Sequence, residues 1–199
     1  MNYPIITPPF EIKSFVLLTK KEAKQHFQWF METKESRIRQ LEDFIIQSGY
    51  SISLDKTPES LIGLWKWYED QIEWVDKTEK EIADESASIP ERLREVVPIN
   101  TKKLSVQTLA LGLDISVYWG ETMIDKNSGV HWELKTSPKK LDGVNRPQLI
   151  FDAAHGLCTY PPTMIHVCTL KSSEEKNEKR LFDLFKKWSR IAQGKPILN

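Results

Sequence analysis

Two carboxylates sit where acid–base chemistry could be built. Glu121 closes an apolar segment, LSVQTLALGLDISVYWGE, and Glu133 returns after the turn Asn127–Ser128–Gly129 in the run His131-Trp132-Glu133. A pair of carboxylates can divide the roles of general acid and general base. If residues 104–124 are helical, Asp114, Glu121 and Asp125 fall within about 40° of one another, with Tyr118 nearby. Strand alternation puts His131 and Glu133 on one face and Trp132 on the other. Two readings stay open. The acids could form the narrow face by which an apolar helix reaches water, as most acids do. Alternatively, Glu121, beside Trp119 and Gly120, could be held in a partly apolar pocket and serve as a general base with Glu133 or His131.

A second set is His155, Cys158, His166 and Cys168, which gathers both cysteines and two of the four histidines. His-x2-Cys followed by His-x-Cys supplies two ligand pairs for zinc, although structural zinc sites space their pairs differently. The alternative is that the thiols pack as small hydrophobes beside hydrogen-bonded histidines. A Cys–His hydrolase using Cys158 and His166 lacks an assignable orienting residue.

A third set is aromatic and acidic. Trp29, Trp67 and Trp74 lie off the expected core stripes, and residues 69–85 hold eight acids against two lysines. Either these helices bury two sides, or Trp67 and Trp74 with Glu69, Glu73 and Asp76 form a protein-binding surface. Trp is a typical interface anchor. On that reading, charge reversal at the three acids weakens binding and leaves the fold intact.

The elements that must position these groups follow from pattern. Tyr3–Lys13 is Pro-rich and extended, and Ser14–Leu18 reads as a strand. Thr19-Lys-Lys-Glu22 fits a capping box opening a helix that runs to about Gln47. Its core face is Ala23, Phe27, Phe30, Met31, Ile38, Leu41 and Ile45. Thr57-Pro58-Glu59 opens a second helix with an apolar stripe from Leu61 to Ile82. Pro90–Val97 is a short helix. Residues 103–124 form a central helix. Ile115, Val117 and Trp119 alternate as in a strand, but the apolar segment is too long for one, and Gly112 and Gly120 can serve close packing. Val130–Leu134, Gln148–Phe151 and Thr163–Leu170 read as strands. Ser172-Ser-Glu-Glu175 reads as the cap of a last helix, faced by Leu181, Leu184, Phe185, Trp188 and Ile191 and stopped by Gly194 and Pro196. Helices precede a small antiparallel sheet, and a helix closes the chain. That order predicts a mainly helical α+β fold. It is one domain over 1–199, with residues 1–97 helical and residues 98–199 mixed.

Composition narrows the function classes. Lys plus Arg equals Asp plus Glu at 28 each. A neutral chain is a poor binder of nucleic acid or anionic membrane. Residues 171–195 are locally basic, with eight bases against four acids. No apolar run approaches the roughly 18 residues of a membrane span. The N-terminus lacks the basic and apolar regions of a signal peptide. Two cysteines are too few for a disulfide scaffold, so the expectation is a cytoplasmic protein with free thiols. The sequence holds no phosphate-binding glycine loop, G-x-S-x-G, H-E-x-x-H or C-x-x-C.

YWGE, seven residues and then GVHWE, together with LLTKKEAKQHFQWF and SLIGLWKWYEDQI, resemble a loose group of small bacterial proteins. These share a helix ending in aromatic-Gly-Glu, a turn, and a strand bearing Trp. Some similar small cytoplasmic proteins are regarded as immunity factors that bind and block a toxin. The resemblance implies another protein as partner, and it carries over no catalytic residue. The sequence therefore predicts a non-enzymatic protein-binding role, immunity-type or adaptor, without a cofactor. The alternative is a small hydrolase-like enzyme using Glu121 with Glu133, or the His155/Cys158/His166/Cys168 cluster with zinc.

Overall fold

The computed structural model describes residues 2–138 and 143–195. Among these described residues, six α-helices and two small antiparallel sheets make a mainly helical α+β fold. Helix α1 (Lys20–Gln47) starts at the expected capping box: Thr19 Oγ1 accepts from the Glu22 amide, and Glu22 accepts in return from the Thr19 amide at 2.8 Å. Ser14–Leu18 is not a strand; Phe15–Leu17 is a 3₁₀ turn. Along α1 the buried residues are Ala23, Phe30, Arg37, Ile38, Leu41, Phe44 and Ile45, while Met31 is exposed.

The expected single helix from Thr57 to Ile82 divides in three. Helix α2 (Ser60–Gln71) ends as Ile72 turns extended, strand β1 (Trp74–Asp76) follows, and α3 (Glu79–Ser88) begins at a new capping box of Thr78 and Glu81. The break is fixed by pairing. β1 lies antiparallel to β2 (Lys102–Leu104), and the Glu73 amide donates to Thr108 Oγ1 at 2.9 Å. Pro90–Val97 holds only a 3₁₀ turn, Glu91–Leu93.

Helix α4 (Val106–Lys126) is the spine and packs on α1, α2, α5 (Pro161–Ser172) and α6 (Arg180–Ala192). Its glycines do serve close packing. A Cβ on Gly112 would lie 3.0 Å from Tyr68 Oη, and one on Gly120 would collide with the Trp132 indole. Strands β3 (Val130–Leu134), β4 (Pro147–Phe151) and β5 (Leu157–Thr159) form an antiparallel meander with β4 in the middle, buried throughout. Phe151 on β4 stacks on Trp188 of α6 at 5.0 Å between centroids. One apolar cluster runs from Tyr3 through α1, α2 and α4 to Ala192.

Two expectations near the C-terminus fail. Thr163–Leu170 is helical, within α5, where Pro161 and Pro162 fill the first positions; Pro has no amide proton for a ladder and suits a helix start. Ser172–Glu175 caps nothing, because Ser172 ends α5 and α6 opens only at Arg180. Gly194 stops α6 with φ +68°; Pro196 lies outside the described residues. No helix among the described residues is long and apolar enough to cross a membrane.

Candidate functional site

Within the acidic stripe of α4, Asp114 and Glu121 neither reach water nor stand free in a pocket. Asp114 is buried, and Arg37 of α1 donates to its Oδ1 through both Nε and Nη2. Its Oδ2 accepts from the Tyr3 hydroxyl. Burial pushes the Asp114 carboxyl above its usual range, against the pull of Arg37 and Tyr3. Glu121 is also buried. Its Oε2 accepts from Lys34 at 2.7 Å, with Lys56 at 3.8 Å, and its Oε1 accepts from Trp132 Nε1 at 2.8 Å. A carboxylate so engaged is poorly free to take a substrate proton. Asp125, at the end of the helix, is exposed.

Strand alternation separates the second carboxylate from the first. Trp132 points inward to Glu121, so His131 and Glu133 point outward. There His131 Nε2 lies 3.6 Å from Glu133 and its Nδ1 lies 3.8 Å from Asp152. The expected Glu121–Glu133 pair is therefore not assembled.

The His/Cys set is not assembled either. His166 and Cys168 share no strand face. On α5 two positions apart means opposite sides of the helix, and His166 is exposed while Cys168 is buried. His155 is exposed in a left-handed turn, and Cys158 is half-buried on β5. Among the described residues, no three or more His, Cys, Asp or Glu side chains are grouped to hold a metal ion. Both thiols are free.

The expected aromatic–acidic surface loses two of its five members. Trp67 is 1% exposed and packs edge-on against Phe44 of α1. Glu69 is buried because its Oε1 accepts from Trp65 Nε1, from Ser172 Oγ at 2.7 Å and from the Asn177 amide at 3.0 Å. It is the knot that ties α2 to the α5–α6 turn. Glu73 and Asp76 are exposed and Trp74 is half-buried on β1.

The concavity with the richest chemistry lies elsewhere, under the N-terminal segment. Tyr3 anchors one end: its ring meets Phe44 at 5.0 Å, its hydroxyl donates to Asp114, and its amide donates to Gln107. Asn145 anchors the other end, its Nδ2 donating to the carbonyls of Phe15 at 2.9 Å and Leu18 at 3.1 Å. Between these ties the segment spans a cleft of about 360 Å³. Its walls are Ile6, Phe10 and Phe15 of the segment, His26, Trp29 and Phe30 of α1, Leu113 and Val117 of α4, and Trp132 and Tyr160. The rings meet edge to face, with Phe10 5.9 Å from Trp29 and Phe15 5.0 Å from His26. Arg146 lies over Tyr160 at 5.1 Å and Phe15 at 5.7 Å, a cation–π contact with two of the wall rings.

Polar and charged residues also line the cleft: Glu11, Lys13, Glu22, Gln25, His26, Arg37 and Ser116. His26 Nδ1 is buried without a hydrogen-bond partner, and burial, helped by the Arg37 charge, lowers the imidazole pKa. Both effects favour the neutral imidazole. A mainly apolar, aromatic cavity of this size with polar groups on its margin suits a ring or an aliphatic side chain. Of its residues, Trp29 and Trp132 stood out in the sequence. Phe10, Phe15 and His26 did not, although two Phe in a Pro-rich extended segment were a readable signal of a strap that must cover something. No family model, curated protein or solved structure matches the chain.

Proposed function

We propose that the chain is a non-enzymatic protein-binding protein, of the immunity or adaptor kind, and that the cleft takes an apolar side chain of its partner. The observation that carries this reading is the cleft itself: apolar, aromatic, and open beside exposed apolar residues. Ile12 at its rim is 72% exposed, and Val106, Leu109 and Leu113 line one exposed edge of α4, with Leu113 also in the cleft wall. Contiguous exposed apolar surface beside a preformed pocket is how interface anchors are received. The engagement of Asp114 and Glu121 by α1 cations also supports binding over acid–base chemistry. On this reading the partner is another protein, not nucleic acid or membrane, and the protein works in the cytoplasm.

The test is native mass spectrometry of the untagged protein taken gently from its own cells. A second polypeptide carried by wild type and lost in Trp29→Ala, which empties part of the cleft, and in Gln25→Trp, which crowds it from a lining position, with unchanged circular dichroism, supports the reading. A second polypeptide retained by both variants contradicts the cleft, and a chain carrying only a small ligand contradicts the protein partner.

A further inference from the structure

The groove between α5 and α6 has a different chemistry from the aromatic cleft. It encloses about 420 Å³. Its floor is Met164, Val167, Cys168 and Leu184, and Lys171, Arg180 and Lys187 rise around it. The acid in its lining, Asp183, is already held by Lys186 at 2.9 Å. Lys176 next door is likewise held by Asp70 at 2.7 Å, yet no ion pair among the described residues engages Lys171 or Lys187. Arg180 spends one nitrogen on the Glu175 carbonyl at 2.6 Å, while its Nε is buried with no acceptor.

These cations converge. Burial pushes the Cys168 thiol up, and Arg180, Lys171 and Lys187 are the three charges that pull against it. Gathering like charges around an apolar floor is unfavourable unless an anion joins them. A buried guanidinium N–H without an acceptor is a further cost that an anion's oxygen would remove. Aromatic rings dominate the cleft, whereas this groove has aliphatic and thioether walls with a cationic rim. The two sites select different ligands.

We infer that the α5–α6 groove binds a soluble anionic amphiphile, a small molecule whose carboxylate, sulfonate or phosphate sits among Lys171, Arg180 and Lys187 while its ring or short acyl chain lies on Met164, Val167 and Leu184. A neutral analogue keeps the apolar contact and loses the charge. Inorganic phosphate keeps the charge and loses the contact. The site is independent of the protein-binding cleft, and either can fail alone.

The experiment compares anilinonaphthalene sulfonate with neutral phenylnaphthylamine, two dyes with the same rings, by fluorescence titration at low and high salt. The sulfonate binds more tightly than the neutral dye, and added salt narrows the gap by screening. Lys171→Gln and Lys187→Gln together weaken the sulfonate by roughly tenfold, about threefold per partly exposed charge, and leave the neutral dye unchanged. Amide shifts in the wild-type protein centre on α5 and α6. Equal affinity for the two dyes, no effect of the paired substitution, or shifts centred on α1 and the N-terminal segment would each overturn the inference. Vesicles of phosphatidylglycerol separate a lipid headgroup from a soluble ligand: wild type stays in the supernatant, and co-sedimentation lost in the paired variant would overturn the soluble-ligand assignment.

Discussion

Replacing Glu121 by Gln removes one charge and almost no volume, so its effect isolates the buried ion pair. In the native protein Glu121 Oε2 accepts from Lys34 at 2.7 Å, and the Lys34 side chain is only 15% exposed. The amide of the Glu121→Gln variant would keep an acceptor for Trp132 Nε1, which lies 2.8 Å from the native carboxylate. It would leave the Lys34 ammonium without its nearest counter-charge. Breaking one side of a fully buried pair costs about 3–5 kcal/mol. Lys34 retains Glu35 at 3.4 Å and some access to water, which reduces the expected loss to about 1.5–3 kcal/mol. For a chain of this size that corresponds to roughly 3–9 °C in Tm. Chemical denaturation of Glu121→Gln, Lys34→Met and the double variant measures it. The singles lose stability, and the double loses less than their sum by about 1–2 kcal/mol. A Glu121→Gln protein within about 0.5 kcal/mol of wild type would refute the ion-pair reasoning and make Glu121 a free carboxylate again.

Gly120→Ala places a Cβ against the Trp132 indole. Overpacking of this kind costs about 1–3 kcal/mol, and the indole N–H resonance of Trp132 should shift as its bond to Glu121 is disturbed. Trp67→Ala behaves as a core deletion, losing about 3–5 kcal/mol in denaturant, whereas Glu73→Lys on the exposed strand entry stays within about 0.5 kcal/mol. Equal, small effects would restore Trp67 to the surface. Glu22 is pulled down from 4.5 to about 2 by Lys13 and then by the Thr19 amide. A folded pKa below the unfolded one means its contribution is full above about 4.5 and disappears as pH falls through about 2. Glu22→Gln therefore melts earlier than wild type at neutral pH, and the gap closes on acidification; a gap that stays constant contradicts the charge pairing of Glu22 with Lys13.

Local signals carried much of the fold. Thr19 and Glu22 announce α1, the length of the apolar run decides α4 against a strand, and the alternation around Trp132 gives β3 its inner and outer faces. Where the reading failed, a tertiary term or a second local signal outweighed periodicity. The stripe from Leu61 to Ile82 is continuous, but β1 pairs with the distant β2, from Trp74↔Leu104 to Asp76↔Lys102. Thr78-x-x-Glu81 repeats the capping signal that opens α1 and could have marked the break. Pro161-Pro162 could similarly have marked α5 as a helix. The buried contacts of Asp114 were not legible at all, since its ion-pair partner Arg37 is 77 positions away and its hydrogen-bond donor Tyr3 is 111. Their pairing exists only once α1 lies across α4. The aromatic cleft has the same character: its walls come from several distant elements, so no local window contains it.

On the proposed function, the aromatic cleft receives a protein partner. Native mass spectrometry of wild type and Trp29→Ala, each released gently from its own cells, tests it most directly. The expected result is a wild-type mass that includes a second polypeptide and a bare chain for the variant, with both proteins equally folded. A second polypeptide bound equally by both would contradict it.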